Sequence, residues 1–406
     1  MKWIIYALIL ALFVSNALVP AFAKGIDVPG DSNGDKIVSA EELKAAEKLS
    51  QDGKITKEQL DEIKNIHENY PKTITDSANN TVTVYTPIKR VVIAYWIGSA
   101  ITLQALKAED SVVGVTDSIK NEPILFPKLS NLPSVGKMPQ SLDFEKILEL
   151  KPDTIITGGN GSSYDEIQKK IQSLDPNIVV LRFDYCRPAS YPDEVNKTGY
   201  ILNRKQEAKE LIDFIDDRLS QIKEKVSNIP RDKRIKVYSE VFRDYSTGGT
   251  GNYYPNDYIE MAGGINIFGD TSQGLFMADP EEIIKRNPEI ILYHAGSDFY
   301  GKKGWVTDNV TALREKRDTI LNRTGFDNVA AVKNGRVYTL DANLVIEAFY
   351  PVGLSYYAKW FYPELFKDLD PIAVHKEYLN KILHIDYDPS KHGAFVYHPQ
   401  EDPEGR

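Results

Sequence analysis

The sequence predicts an α/β protein whose sheets are mainly parallel and flanked by helices. Three observations carry this expectation. Short apolar runs alternate with helix-period segments, and each run is apolar throughout rather than at every second residue, the pattern of strands buried on both faces. One stretch, 199–229, repeats apolar residues three and four apart with charges between them, which is an amphipathic helix. After Pro230 the alternation of strands and helices restarts.

The chain begins Met1-Lys2, runs apolar from Trp3 to Leu18 and reaches Ala21-Phe22-Ala23. A basic start, an apolar centre and a small-x-small end read as a secretory signal over 1–23. The alternative is a retained anchor, since roughly 20 apolar residues span a bilayer. No cysteine lies near the cleavage point, which excludes a lipid anchor on this segment. Export to the extracellular or periplasmic face is expected, and five Asn-x-Ser/Thr sites (Asn79, Asn160, Asn196, Asn309, Asn322) are compatible with it.

Bulk composition narrows the function. With 406 residues, two or three domains are expected. Hydrophobic and charged contents of 42% and 26% are those of a globular chain with a real core. A net charge of −9 argues against nucleic acid as a partner. Cys186 is the single cysteine, so no internal disulfide forms. Twenty-three tyrosines, largely in loop segments, suit a binder of sugars, macrocycles or chelates.

Residues 24–68 form a small acidic helical module. Asp31, Asn33 and Asp35 take the first, third and fifth places of a calcium-loop template, Ile37 offers a carbonyl, and Glu42 is twelfth. Such an oxygen cage suits Ca²⁺, but Lys36 stands where the template has glycine. Pairing of Ile37-Val38 with Ile55-Thr56 would give two helix–loop units, which resemble dockerin or EF-hand modules. The readings are a bound calcium, a docking module for a surface partner, or a helical hairpin whose acidic loop caps a helix.

The main body opens with a hairpin around Asn79-Asn80 and a strand at Val91-Val92-Ile93-Ala94. A helix over 100–106 and a strand over 112–115 follow. Next come a helix over 144–150, ended before Pro152, a strand over 154–157, a helix over 164–174 and a strand over 178–181. The stretch 199–230 is expected as one connecting helix of about 45 Å at 1.5 Å per residue. Beyond it lie a strand over 235–238, a helix over 256–263, a strand over 288–293, a hairpin over 332–338 and a helix over 351–361.

Several motifs, in order, resemble the iron-complex and cobalamin class of substrate-binding proteins of ABC importers. They are T-D-S-x-x-N-T-V-T-V with K-R-V-V and A-L-x-A-E-D-x-V-V-G-V, then L-x-F-E-K-I-L-E-L-K-P-D-x-I-I. A-G-G-I-N-I-F, D-P-E-E-I-I-K-R-N-P-E-I-I-L, V-K-N-G-R-V-Y and A-K-W-F-Y-P-E-L-F complete the set. The resemblance implies two parallel-stranded lobes, 69–198 and 231–384, joined by one rigid helix over 199–230, with 385–406 as a tail. It implies a monomer that captures a metal chelate, foremost an iron complex, and delivers it to a permease and its ATPase. Corrinoid or haem binding by the same fold is an alternative, and a surface scaffold docked through the calcium-loop module is another. No G-x-S-x-G, phosphate loop or H-E-x-x-H occurs, so no enzyme is expected.

Ligands of such sheets meet loops beyond the carboxyl ends of strands. The candidates are Tyr95, Trp96, Asn160, Tyr164, Tyr185 and Arg187 in the first lobe. In the second they are Tyr253, Tyr254, Phe276, Met277, His294 and Tyr350. Arg187 would hold an anionic group or pair with Asp184 or Asp193. His294 would ligate a metal or, the preferred reading, donate one hydrogen bond in the cleft. His375, His384, His392 and His398 are expected at the surface, and Cys186 in the core or the cleft. Family members often carry an arginine shortly before the closing helix; Val345 to Tyr350 has none, which favours a more neutral ligand. By the family's motifs, Glu145 and Glu281 would meet arginines of the permease, or be solvated helix-start carboxylates.

Overall fold

The computed structural model describes residues 26–251, 253–296 and 304–399. The expected signal over 1–23 lies outside them. In the N-terminal module, α1 (Ala40–Gln51) and α2 (Lys57–Asn69) each start on a capping box, Ser39 with Glu42 and Thr56 with Gln59. Val38, Ala46, Ile63 and Ile66 are buried in one core with Ile74 and Val84 of the following hairpin. Lys89 pairs with Glu62 at 2.5 Å, so the module is fastened to the main body.

The hairpin forms as expected, β1 (Lys72–Thr75) antiparallel to β2 (Thr81–Val84). Asn79 takes a left-handed φ of 62° at its turn, and the Asp76 carboxylate accepts the Ala78 and Asn80 amides. The first lobe is a four-stranded parallel sheet of β3 (Val91–Ile93), β4 (Val112–Val115), β5 (Thr154–Thr157) and β6 (Val179–Arg182), in the order β4-β3-β5-β6. Its strands are apolar on both faces because helices cover both. These are α3 (Ile97–Ala105), α4 (Phe144–Glu149) and α5 (Ser162–Leu174).

The connection between lobes is two helices rather than one. Helix α6 (Tyr191–Ile201) ends at a turn in which Asn203 has φ 57°, and α7 (Lys205–Val226) follows. The expected helix over 199–230 thus shortens to 22 residues, about 33 Å. Asn203 breaks it because asparagine tolerates the left-handed region, and the buried Lys72 ammonium binds the Tyr200 carbonyl at 2.7 Å and the Asn203 amide oxygen. Ala208, Leu211, Phe214, Ile215, Ile222 and Val226 form the buried stripe of α7.

The second lobe holds β7 (Lys236–Val241), β8 (Ser246–Gly248), α8 (Tyr253–Met261), β9 (Ile265–Asn266), β10 (Leu275–Met277) and α9 (Pro280–Arg286). It continues with β11 (Ile290–Ala295), α10 (Thr311–Leu321), β12 (Val337–Asp341), α11 (Tyr350–Phe361), α12 (Pro371–Glu377) and β13 (Val396–Tyr397). The sheet runs β9-β7-β11-β12-β13, parallel except for β13. Two expectations are corrected here. Residues 332–338 form a helical turn, a left-handed Gly335 and the start of β12 instead of a hairpin. Residues 396–397 pair with β12, so the last described segment belongs to this lobe and is no tail.

Two of the four histidines expected at the surface are buried. His398 stacks on Tyr338, with centroids 4.4 Å apart, and shares a hydrogen bond with the Gly335 carbonyl. His375 is fully buried among Trp305, Phe349 and Phe395, and neither ring nitrogen has a hydrogen-bond partner among the described residues. Burial lowers its pKa to about 3, because an imidazolium there has no water and no anion. The unfolded value is near 6.5, so keeping His375 neutral stabilises the fold fully above about pH 6.5. That stability is lost as pH falls from there toward 3. Calorimetry should show the wild-type Tm falling between about pH 6.5 and 4, and His375→Phe, which removes the titrating group, falling less steeply. Parallel profiles would contradict this role.

Candidate functional site between the lobes

Loops leaving the carboxyl ends of both sheets face one another across the seam between the lobes. Four contacts bring them together. The Tyr258 hydroxyl donates to the Cys186 carbonyl at 3.2 Å, and the Gln104 amide to the Leu383 carbonyl at 2.9 Å. Tyr191 and Tyr350 meet edge to face with centroids 6.0 Å apart. The fourth joins Gly98 and Glu347. A Cβ added at Gly98 would lie 2.7 Å from Glu347 Oε2 and 2.9 Å from the Tyr185 carbonyl, so only glycine allows the approach.

Apolar and aromatic faces remain exposed near strand ends of both lobes. Trp96, three residues beyond β3, is 38% exposed; Phe242, directly after β7, is 43%, and Met277, at the end of β10 where it pairs with β8, is 60%. Large apolar side chains left in water at strand ends are the usual lining of a ligand cleft. Behind Trp96, Tyr95 and Tyr164 pack edge to face at 5.5 Å, both against Gly158. Several of these loops hold non-glycine residues at positive φ: Tyr185 at 51°, Phe242 at 66° and Glu347 at 55°. Such backbone strain concentrates at functional loops.

The electrostatics of the seam are acidic. Burial, together with Cys186, Tyr164, Asp184 and Glu347, raises the Tyr95 hydroxyl far above its ordinary value, so it stays protonated. Asp184 accepts the Gly159 amide at 3.0 Å and pairs with Arg187 at 3.5 Å. Glu194 lies behind, accepting the Ser77 hydroxyl and the Tyr185 amide; burial raises its pKa.

The structure sorts the expected residues. Tyr95, Trp96 and Tyr164 come together beyond the strand ends of the first lobe, and Arg187 there pairs with Asp184, one of the two expected readings; Met277 is exposed on β10 of the second lobe. Asn160, exposed, donates to the Ser77 carbonyl, and Phe276 is half-buried against Phe268. Three residues are core rather than lining. Tyr185 is buried with its hydroxyl on Thr198, Tyr254 is buried against His294, and Tyr350 is buried between Tyr191 and Tyr258. The side chain of Tyr253 lies outside the described residues.

His294 is corrected most. It is fully buried, with the Tyr254 hydroxyl on Nδ1 and the Tyr357 hydroxyl on Nε2 at 2.6 Å, and burial lowers its pKa to about 3. Both nitrogens are occupied by protein, so it neither ligates a metal in the cleft nor offers a bond there. The sequence reading missed Glu347 and Phe242. Glu347 stood in the stretch noted for lacking arginine, and its sign was the signal.

In the N-terminal loop, Lys36 takes φ 68° at the template's glycine position. Asp31 accepts the Asn33, Gly34 and Lys36 amides, and Asp35 accepts the Ile37 amide. Glu42 is held by Ser32 and Ser39, bonds that keep its carboxyl well below the usual range. No cluster of three His, Cys, Asp or Glu side chains placed to hold a metal exists among the described residues. Nor is any helix there long and apolar enough to cross a membrane.

Known proteins give this architecture a family. Residues 92–344 match the sequence model of the family described as Periplasmic binding protein. The chain is 30% identical to the uncharacterized ABC transporter substrate-binding lipoprotein YvrC of Bacillus subtilis, over 74% of this chain and 88% of that one. It is 24% identical to the molybdate-binding protein MolA of Haemophilus influenzae, over 78% and 92%. The crystal structure of the TroA-like periplasmic binding protein FepB from Veillonella parvula superposes with a TM-score of 0.68 at 26% identity, covering 81% of this chain and 99% of that one. The chain belongs to the Periplasmic binding protein family and is a substrate-binding protein of an ABC transporter.

Proposed function

We propose that the protein captures a metal chelate between its lobes, foremost a ferric siderophore, and hands it to a membrane permease without chemistry of its own. The observation that carries this is the set of exposed faces near strand ends of both lobes, Trp96 in the first and Phe242 and Met277 in the second. Chelates present flat or greasy ligand atoms around a hidden metal, and aromatic faces with a few polar groups suit them. The commitment of Arg187 to Asp184 favours weakly charged chelates, a ferric hydroxamate or a corrinoid, over haem with its carboxylates.

Tryptophan fluorescence of the purified protein, titrated with ferric hydroxamates, cobalamin and haemin and corrected for ligand absorbance, tests the reading. A cognate chelate should quench saturably, and Trp96→Phe should remove most of the quenching. Absence of a saturable response from folded protein would contradict it.

Delivery is proposed to use Glu145 and Glu281. Each is exposed at the second position of a helix, α4 or α9, behind an aspartate cap, Asp143 or Asp279. The pair thus repeats one local design in both lobes. In vesicles holding the cognate permease and ATPase, Glu145→Arg with Glu281→Arg should cut stimulated ATP hydrolysis at least about tenfold by like-charge repulsion. Chelate affinity should be unchanged.

The N-terminal loop enters the proposal as a single calcium site that stiffens the module, and the scaffold alternative would use that module for docking. The left-handed Lys36 supports it, since the loop already has the turn the template needs. Calcium at millimolar concentration should raise the Tm of wild type and leave Asp31→Ala with Asp35→Ala unmoved. Equal curves with calcium and with chelator would contradict it.

A further inference from the structure

The turn over 242–245 joins β7 to β8, and its first and last residues, Phe242 and Tyr245, hold left-handed φ values of 66° and 62°. That region suits glycine or asparagine and is costly for a bulky side chain. Phe242 also leaves its ring largely in water. Such a conformation persists only where the surroundings impose it. At one end of the turn the Phe242 amide donates to the His294 carbonyl at 2.8 Å, and the Phe242 carbonyl accepts the Tyr293 hydroxyl at 3.3 Å. At the other, the Asp244 carboxylate accepts from the Lys316 ammonium and, at 2.9 Å, from the Arg323 guanidinium. Both cations are almost wholly buried, with side chains 9% and 6% exposed. Arg323 reaches on to the fully buried Glu240 and lies over the Tyr245 ring, 4.4 Å from its centroid. Lys316 lies over the Tyr293 ring at 4.5 Å. Carboxylates and cations balance, and the turn is clamped to α10 and the segment just after it.

This turn carries the exposed apolar face of its lobe. The Phe242 ring stands 6.5 Å from that of Tyr254, which packs on Tyr258, whose hydroxyl crosses to the first lobe at the Cys186 carbonyl. The Tyr245 carbonyl accepts the Ala278 amide at 2.7 Å, and Ser246 pairs in register with Met277. The same turn therefore sets where the exposed Met277 stands. We propose that Asp244 is a positioning residue for the ligand: held by Lys316 and Arg323, it keeps Phe242 and Met277 in place to grip the apolar periphery of a chelate. The proposal rests on the reading that a chelate lies between the lobes. Asp244 acts through the turn and not by touching the ligand. Loss of its carboxylate lets the strained turn relax toward an ordinary backbone conformation, and both apolar side chains lose their fixed place. Binding must then order the turn first, and that cost appears as weaker affinity.

The experiment is a mutant cycle read by equilibrium dialysis against a ferric trihydroxamate, cobalamin and haemin. The variants are Asp244→Asn, Phe242→Ala with Met277→Ala, and all three substitutions together. For the probe that wild type holds, Asp244→Asn should weaken binding at least about fivefold. In the background without the Phe242 and Met277 side chains it should weaken binding by less than about twofold, because it acts only through them. Loss by the same factor in both backgrounds is what a merely structural role gives, and it would overturn the inference while leaving the chelate reading intact. So would Asp244→Asn binding as tightly as wild type, or the Phe242→Ala, Met277→Ala variant doing so. Circular dichroism verifies that each variant is folded. Should Asp244→Asn fail that check, Asp244→Asn with Lys316→Met, which removes a buried cation together with its anion, takes its place. Failure of every probe to bind folded wild type would overturn the chelate reading, and this inference with it.

Discussion

The close approach of Gly98 to Glu347 is the constraint around which the candidate site is arranged. It joins the first helix of one lobe to the turn before the closing helix of the other. It is possible only because residue 98 has no side chain, since any Cβ there would collide with both the carboxylate and the Tyr185 carbonyl. Near the strand ends Trp96 of the first lobe and Phe242 and Met277 of the second are left exposed. Helix α7, packed against elements of both lobes, fixes their spacing. A stiff connector and a tight contact at one point leave modest lobe movement as the expected response to ligand.

Behind the seam several buried polar side chains are closed by partners from the protein itself. Tyr254 and Tyr357 close both nitrogens of His294, and Thr198 closes the hydroxyl of Tyr185. Arg323 makes a bidentate pair with the fully buried Glu240, at 2.7 Å on each arm. These contacts turn polar residues near strand ends into rigid backing for the loops. They also explain why several tyrosines and one histidine beside the cleft do not line it. A neutral, doubly bonded imidazole has nothing left to offer a ligand.

The sequence made the architecture legible wherever burial dictated it. Strands β3 to β6 are apolar throughout because helices cover both faces, and the hairpin at Asn79 announced itself by turn chemistry. Local geometry against a tertiary partner was not legible. The break at Asn203 depends on Lys72, more than a hundred residues away, binding the turn. The turn over 330–336 carries a hairpin-like Asn-Gly, yet a helical turn precedes it because Val329 and Ala331 pack inside. At the site, position after a strand pointed to Trp96 and Tyr164 but could not say which way Tyr185 or His294 would turn. Glu347 was visible only as a missing arginine, because its role arises from a contact with Gly98 across the two lobes.

The measurement that tests the account most directly is anomalous diffraction at the metal edge from crystals grown with a ferric trihydroxamate. The account requires one iron peak between the lobes, near Trp96, Phe242 and Met277. An iron peak on the outer surface of either lobe would contradict it.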